Sequence, residues 1–168
     1  MPWSRYYLPS SIPSMPPPRG TWNPIEGPGD YTVTKVVHSD TYSDIDPSKA
    51  DLSGKAVFVS GASRGLGKAI ALSFAKAGAS YIAIGARSGL AEVEKQVKIV
   101  ASKAGRKEPQ VLRLQLDVAD SSSVEDSVKQ IENTFSRLDV VINNAGIMGG
   151  RKAIRDSDPD RWWQTSRE

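Results

Sequence analysis

After Asp51 the chain alternates between two apolar periods. Short apolar runs closed by turn residues read as buried parallel strands, and apolar residues three and four apart read as helices. Residues 55–60 (KAVFVS) form the first run and end in a Gly-rich turn. Residues 66–77 place Leu66, Ala69, Ile70, Ser73, Phe74 and Ala77 along one helical face, with Gly78 at the position that ends a helix. A second strand follows at 81–84, then a helix carrying Leu90, Val93, Val97, Val100 and Ala104 and ending at Gly105. A third strand is expected at 111–116. Ser122 with Glu125, or Ser123 with Asp126, can form a capping box for the next helix, whose apolar face is Val124, Val128, Ile131 and Phe135. Val140, Val141 and Ile142 make a fourth strand, and Ser157/Asp158 followed by Pro159 open a further helix.

Parallel strands need crossover connections, which are almost always right-handed. The pattern therefore predicts an α/β fold, a three-layer doubly wound parallel sheet with strand order 3-2-1-4.

The first fifty residues read differently. Eight of the 11 prolines fall in residues 1–30, and six of the 12 aromatics fall in residues 1–42. Residues 1–50 are expected to be a Pro-rich, disordered N-terminal extension, with a short polyproline segment at 16–18. Residues 31–37 (YTVTKVV) alternate like a short strand within it. The folded part is then residues 51–168.

Composition removes several classes. Without cysteine there is no disulfide framework, thiolate nucleophile or Cys-based zinc site. The one histidine, His38, reads as a solvated loop residue and supplies no metal site. No run approaches the ~18 apolar residues of a membrane span. Residues 51–168 carry 18 Lys+Arg against 14 Asp+Glu with the signs interspersed, which is a solvated surface and not a nucleic-acid stripe. The expected protein is soluble and cytoplasmic, with neither membrane nor nucleic acid as partner.

The sharpest chemical signal is SGASRGLG at 60–67, a G-x-x-x-G-x-G loop between a strand and a helix. Glycines there permit a tight turn and close backbone approach to a phosphate, and the helix start offers unpaired N–H groups and a positive dipole end. About twenty residues past such a loop, an NAD-binding unit has an acid that grips the ribose 2′-hydroxyl. Arg87 stands at that point, and no acid lies between Gly67 and Glu92. A guanidinium there suits a 2′-phosphate, and Arg64 in the loop is a second cation within reach of it. The pair favours NADP over NAD.

These residues resemble the short-chain dehydrogenase/reductase family, whose domain is Rossmann-type. SGASRGLG is similar to its TGxxxGxG, with Ser60 in place of the usual Thr. Leu116-Asp117-Val118 after strand three resembles its adenine-contacting Asp-Val pair, and Asn143-Asn144-Ala145-Gly146 matches its NNAG after strand four. The resemblance spans 51–165 and implies cofactor contacts from Gly61, Ser63, Arg64, Gly65, Leu66, Gly67, Arg87, Asp117, Val118, Asn143, Asn144, Ala145 and Gly146. It also implies NADP(H)-dependent interconversion of a carbonyl and an alcohol, a nicotinamide dinucleotide as partner, and association through later helices in a full-length form.

In that family the catalytic Ser and Tyr-x-x-x-Lys come after strand four. Tyr31-Thr32-Val33-Thr34-Lys35 fits the spacing literally, yet it precedes the nucleotide loop and its β-branched centre disfavours a helix. No residue is therefore assigned a catalytic role. The expectation is the N-terminal half of such a domain, C-terminally truncated, inactive alone and aggregation-prone at an exposed fourth-strand edge. Its small-molecule substrate would meet only a full-length form. The alternatives are a non-catalytic NADP(H)-binding or interaction protein and, more remotely, a domain for another adenosine ligand such as a methyl donor.

Overall fold

The computed structural model describes residues 41–147 and 154–167; the elements below belong to a compact unit spanning Asp44–Glu168. His38, the polyproline segment at 16–18 and the strand and Tyr-x-x-x-Lys match at 31–37 lie outside the described residues. The elements follow as β1 (Ala56–Ser60), α1 (Gly65–Lys76), β2 (Tyr81–Ala86), α2 (Ala91–Lys103), β3 (Gln110–Gln115), α3 (Ser121–Phe135), β4 (Val140–Ile142) and α4 (Pro159–Arg167). All strand pairs are parallel and the order is β3-β2-β1-β4, the doubly wound order read from the pattern. The register aligns Val57 with Ile82 and with Val140, and Ile82 with Val111.

Because successive side chains of a strand face opposite ways, the sheet has two cores. Val57, Val59, Ile82 and Ile84 pack toward Ala71 and Ala75 of α1 and Val93, Val97 and Ala101 of α2. Ala56, Ala83 and Leu114 pack on the other face, toward Ile131 and Phe135 of α3. Tyr81 and Phe135 meet there with ring centroids 5.3 Å apart. β2 is central and buried almost throughout, whereas the outer strand β4 leaves Val141 50% exposed.

Three details depart from the expected pattern. The buried line of α1 is Gly67, Ala71 and Ala75, with Ile70 and Phe74 partly covered; Leu66, Ala69 and Ser73 are exposed. The smallest residues let the helix lie close to the sheet, and an apolar count underweights them. In α3, Val124 and Val128 are exposed while Ser127 is buried in line with Ile131 and Phe135. Ser127 can be buried because its hydroxyl donates to the Ser123 carbonyl one turn back, at 2.8 Å. The cap of α3 is Asp120, whose carboxylate accepts from the Ser122 N–H at 3.0 Å, in place of a Ser122 or Ser123 box. α4 begins at Pro159 as expected, with Asp158 accepting from the Asp160 N–H at 3.0 Å.

The residues before β1 are tied down beneath the sheet. Arg106 donates to the carbonyls of Ser48 and Ala50 at 2.8 and 2.7 Å, and Lys76 pairs with Asp46 at 2.8 Å. That ammonium, with the Ser48 N–H, holds the Asp46 carboxyl down at about 2. Asp139 joins the starts of β4 and β1. Its carboxylate accepts from the Arg137 Nε at 2.9 Å and the Ala56 N–H at 2.8 Å, while its own N–H donates to the Ala56 carbonyl at 2.9 Å. The Arg137 guanidinium first, and the Ala56 N–H second, hold the Asp139 carboxyl well below the usual carboxylate range.

Two outcomes follow. A depressed carboxyl stabilises the fold fully above its unfolded value near 3.9 and loses that contribution as pH falls through its folded value. The urea midpoint should be flat above about pH 5 and fall below about pH 4, and Asp139→Asn should make that fall shallower. Ser136 ends α3 in the left-handed region at φ 56°, where a side chain is strained. Ser136→Gly should raise unfolding stability by about 0.5–1 kcal/mol, read from the same urea curves.

Candidate functional site

The C-terminal ends of the four strands converge on a cleft of about 630 Å³. In an open α/β sheet the crevice beyond those ends is where ligands bind. Its lining combines Gly61, Ser63, Arg64, Gly65, Leu66 and Gly67 after β1 with Ala86, Arg87 and Ser88 at β2. Leu116, Asp117 and Val118 come from β3, and Asn144, Ala145, Gly146 and Ile147 from β4. Every residue singled out in the sequence is therefore brought to one cleft except Asn143, which is exposed and is not among the lining residues.

Close contact between the β1 and β4 turns builds the floor. Gly61 has φ +66°, and a Cβ on it would meet the Ala145 Cα at 2.8 Å and the Asn144 Nδ2 at 2.9 Å. A Cβ on Gly67 would run into the same Asn144 amide and the Gly61 carbonyl. The Ser60 hydroxyl locks the two turns together. It accepts from the N–H groups of Asn144 and Ala145, each at 3.0 Å, and donates to the Ile142 carbonyl at 3.3 Å. Asn144 returns its side-chain amide to the carbonyls of Ser60 at 3.0 Å and Gly61 at 3.4 Å. A hydroxyl at position 60 is what this lock requires, so serine serves in place of threonine.

Charge is unevenly distributed over the lining. Among the described residues, Arg64 and Arg87 are its cations and Asp117 its one acid. α1 begins at Gly65, and Arg64 makes no side-chain cap, so the first N–H groups of the helix face the cleft uncapped by a side chain. Leu66, 70% exposed, supplies apolar surface beside them. At the far wall Asp117 accepts from the Ala119 N–H at 3.1 Å.

Sequence reasoning passed over Ala86, Ser88 and Ile147, and quoted Leu116 beside Asp117 without giving it a contact. Ser88 had a signal, being a hydroxyl next to Arg87 in the same turn; Ala86 and Ile147 are apolar residues whose place in the lining comes only from the fold. Among the described residues no cluster of His, Asp and Glu could hold a metal, and no helix is long and apolar enough to cross a membrane.

The residues present fit a nucleotide. The glycine floor admits backbone-close phosphates, the start of α1 offers N–H donors, and two guanidiniums meet the charge.

Comparison with known proteins agrees with this architecture. A family model of short chain dehydrogenases matches residues 55–167. The chain is 58% identical over 150 residues to the short chain dehydrogenase pigC of Monascus ruber, covering 89% of this chain and 50% of that one. An alignment that long reaches back into the Pro-rich first fifty residues. Carveol dehydrogenase from Mycobacterium avium, crystallised in complex with NAD, superposes with a TM-score of 0.58 at 23% identity, covering 70% of this chain and 45% of that one. The C-domain of a bacterial malonyl-CoA reductase, crystallised with NADP, gives a TM-score of 0.62 at 28% identity, covering 68% of this chain and 18% of that one. The chain spans half or less of the length of each. With the family model covering two thirds of its residues, and with a parallel 3-2-1-4 sheet that carries a glycine loop and an NNAG turn on one cleft, this chain belongs to the short chain dehydrogenase family.

Proposed function

We propose that the chain binds NADP(H) in this cleft, as the nucleotide-binding part of an oxidoreductase that interconverts a carbonyl and an alcohol. The observation that carries the reading is the pair Arg64 and Arg87 on one cleft whose single acid among the described residues, Asp117, comes from β3 and not from the end of β2. A carboxylate at the end of β2 suits a ribose 2′-hydroxyl and repels a 2′-phosphate; a guanidinium does the reverse. The NADP-bound neighbour supports the preference, and the NAD-bound one, at lower identity, shares the fold.

In this reading residues 51–168 are a partial dinucleotide-binding domain. The loop Gly61, Ser63, Gly65 and Gly67, with the first N–H groups of α1, receives the pyrophosphate. Arg64 and Arg87 take the 2′-phosphate. Asp117 accepts from the adenine amino group and Val118 flanks the ring. Asn144, Ala145 and Gly146 border the nicotinamide half with Leu66, and Asn143, outside the lining, is given no contact. The bound nicotinamide supplies the hydride chemistry; the chain's own residues bind it, orient it and hold the two turns at a fixed spacing. In this reading no residue of the cleft is assigned proton transfer.

Titrating the purified chain with NADPH and NADH, followed by nicotinamide fluorescence, tests this. NADPH should bind at least tenfold more tightly, the scale of one charge-assisted hydrogen-bonded pair. Arg87→Glu should bring the ratio to one or below, and an unchanged ratio would sink the preference. Binding of neither dinucleotide would overturn the reading. The same preparation should show no turnover with carbonyl or alcohol substrates. Sustained cofactor oxidation by the chain alone would place the proton-transfer group within it.

A further inference from the structure

Two polar side chains outside the glycine loop connect the groups assigned to the adenosine end. β3 leaves its ladder at Leu116, whose N–H still donates to the Ala86 carbonyl of β2 at 3.1 Å. The next N–H, that of Asp117, turns away from β2 and donates to the Ser123 hydroxyl of α3 at 3.0 Å. A hydroxyl offers one proton and two lone pairs, so Ser123 can also donate, and the Gln115 carbonyl stands 3.5 Å away. Gln115 in turn reaches sideways from β3, its Nε2 donating to the Arg87 carbonyl at 2.9 Å. The order Arg87–Gln115–Ser123–Asp117 is thus a continuous run of hydrogen bonds around the outer rim of the cleft.

We propose that Gln115 and Ser123 are positioning residues that hold Arg87 and Asp117 at the separation needed to grip the 2′-phosphate and the adenine of one nucleotide. The proposal rests on the reading of the cleft as an NADP(H) site.

Packing does not account for these residues. Gln115 is exposed on an edge strand, where a β-branched residue would serve the sheet better. The turn that it steadies, Arg87, Ser88 and Gly89, is exposed throughout and contains a glycine, whose backbone is the most permissive. Ser123 is not the cap of α3, since Asp120 takes that role. Its hydroxyl serves the Asp117 backbone instead. Asp117 is held a second time through the Ala119 N–H on one carboxylate oxygen, which leaves the other for a ligand. Losing either polar side chain should leave the sheet intact and loosen only the rim.

Gln115→Leu keeps the size of the side chain and removes its amide. It should lower the NADPH-to-NADH affinity ratio about fivefold, the scale of one net hydrogen bond, with NADH affinity and melting temperature unchanged. Ser123→Ala should weaken adenosine 2′,5′-bisphosphate about fivefold and leave nicotinamide mononucleotide unaffected, and Ser123→Thr should restore wild-type binding. Hydrogen exchange in the ligand-free protein gives an independent reading: the Asp117 amide should exchange faster in Ser123→Ala and at the wild-type rate in Ser123→Thr. Wild-type ratios, affinities and exchange in Gln115→Leu and Ser123→Ala would overturn the proposal while NADP(H) binding stood. Equal losses for the adenosine and nicotinamide probes would reduce the two residues to structural supports and overturn it as well. A wild-type chain that binds neither dinucleotide would remove the proposed function and this inference together.

Discussion

At the top of the sheet the turn after β1 and the turn after β4 touch backbone to backbone, with no room for a Cβ at Gly61 or Gly67. The rest of the cleft is arranged around that contact. It sets where α1 begins and so where the first N–H groups of the helix point. The Ser60 hydroxyl makes the contact specific by satisfying two N–H groups of the β4 turn that would otherwise be orphaned near the core. A buried hydroxyl accepting two bonds and donating one is fully used, so the lock has one well-defined geometry.

The outer rim is built on another principle. Beyond β3 the polar groups that support Arg87 and Asp117 are side chains in partial contact with water. Such bonds are individually weaker than the close-packed floor, and their value lies in direction. The site therefore joins a steric half, made from glycines and one hydroxyl, to a polar half made from exchangeable side chains. Relatives of one fold differ more readily in the second kind of element, since it alters contacts without disturbing packing.

Much of this was legible in the residues themselves. The four strands and their order follow from periodicity and crossover rules, the glycine loop and Arg87 from motif spacing, and Asp117 and the NNAG turn from the resemblance to short-chain dehydrogenases; the structure brings them to one crevice. What escaped was governed by size and competition, which a hydropathy pattern does not encode. α1 turns Gly67, Ala71 and Ala75 to the sheet because closeness, not hydrophobicity, decides that face. Val124 and Val128 fitted an apolar stripe, but Ser127 was buried instead, its hydroxyl satisfied by its own helix. Asp120 outcompeted the neighbouring serines for the cap, which left Ser123 for Asp117. Asn143 shares a motif with Asn144, yet only Asn144 turns into the cleft.

The two faces of the sheet are also unequal. Among the described residues, thirteen buried ones form the core beneath α1 and α2, against five beneath α3. Local opening free energy rises with buried apolar contact, so the two sides of the sheet should breathe at different rates. The glycine loop leads into α1 on the slow side, and the segment after β3 leads into α3 on the fast one. A molecule lying across the cleft touches both. Part of its binding free energy goes into stilling the faster wall, so its grip and the lifetime of α3 on the sheet rise together.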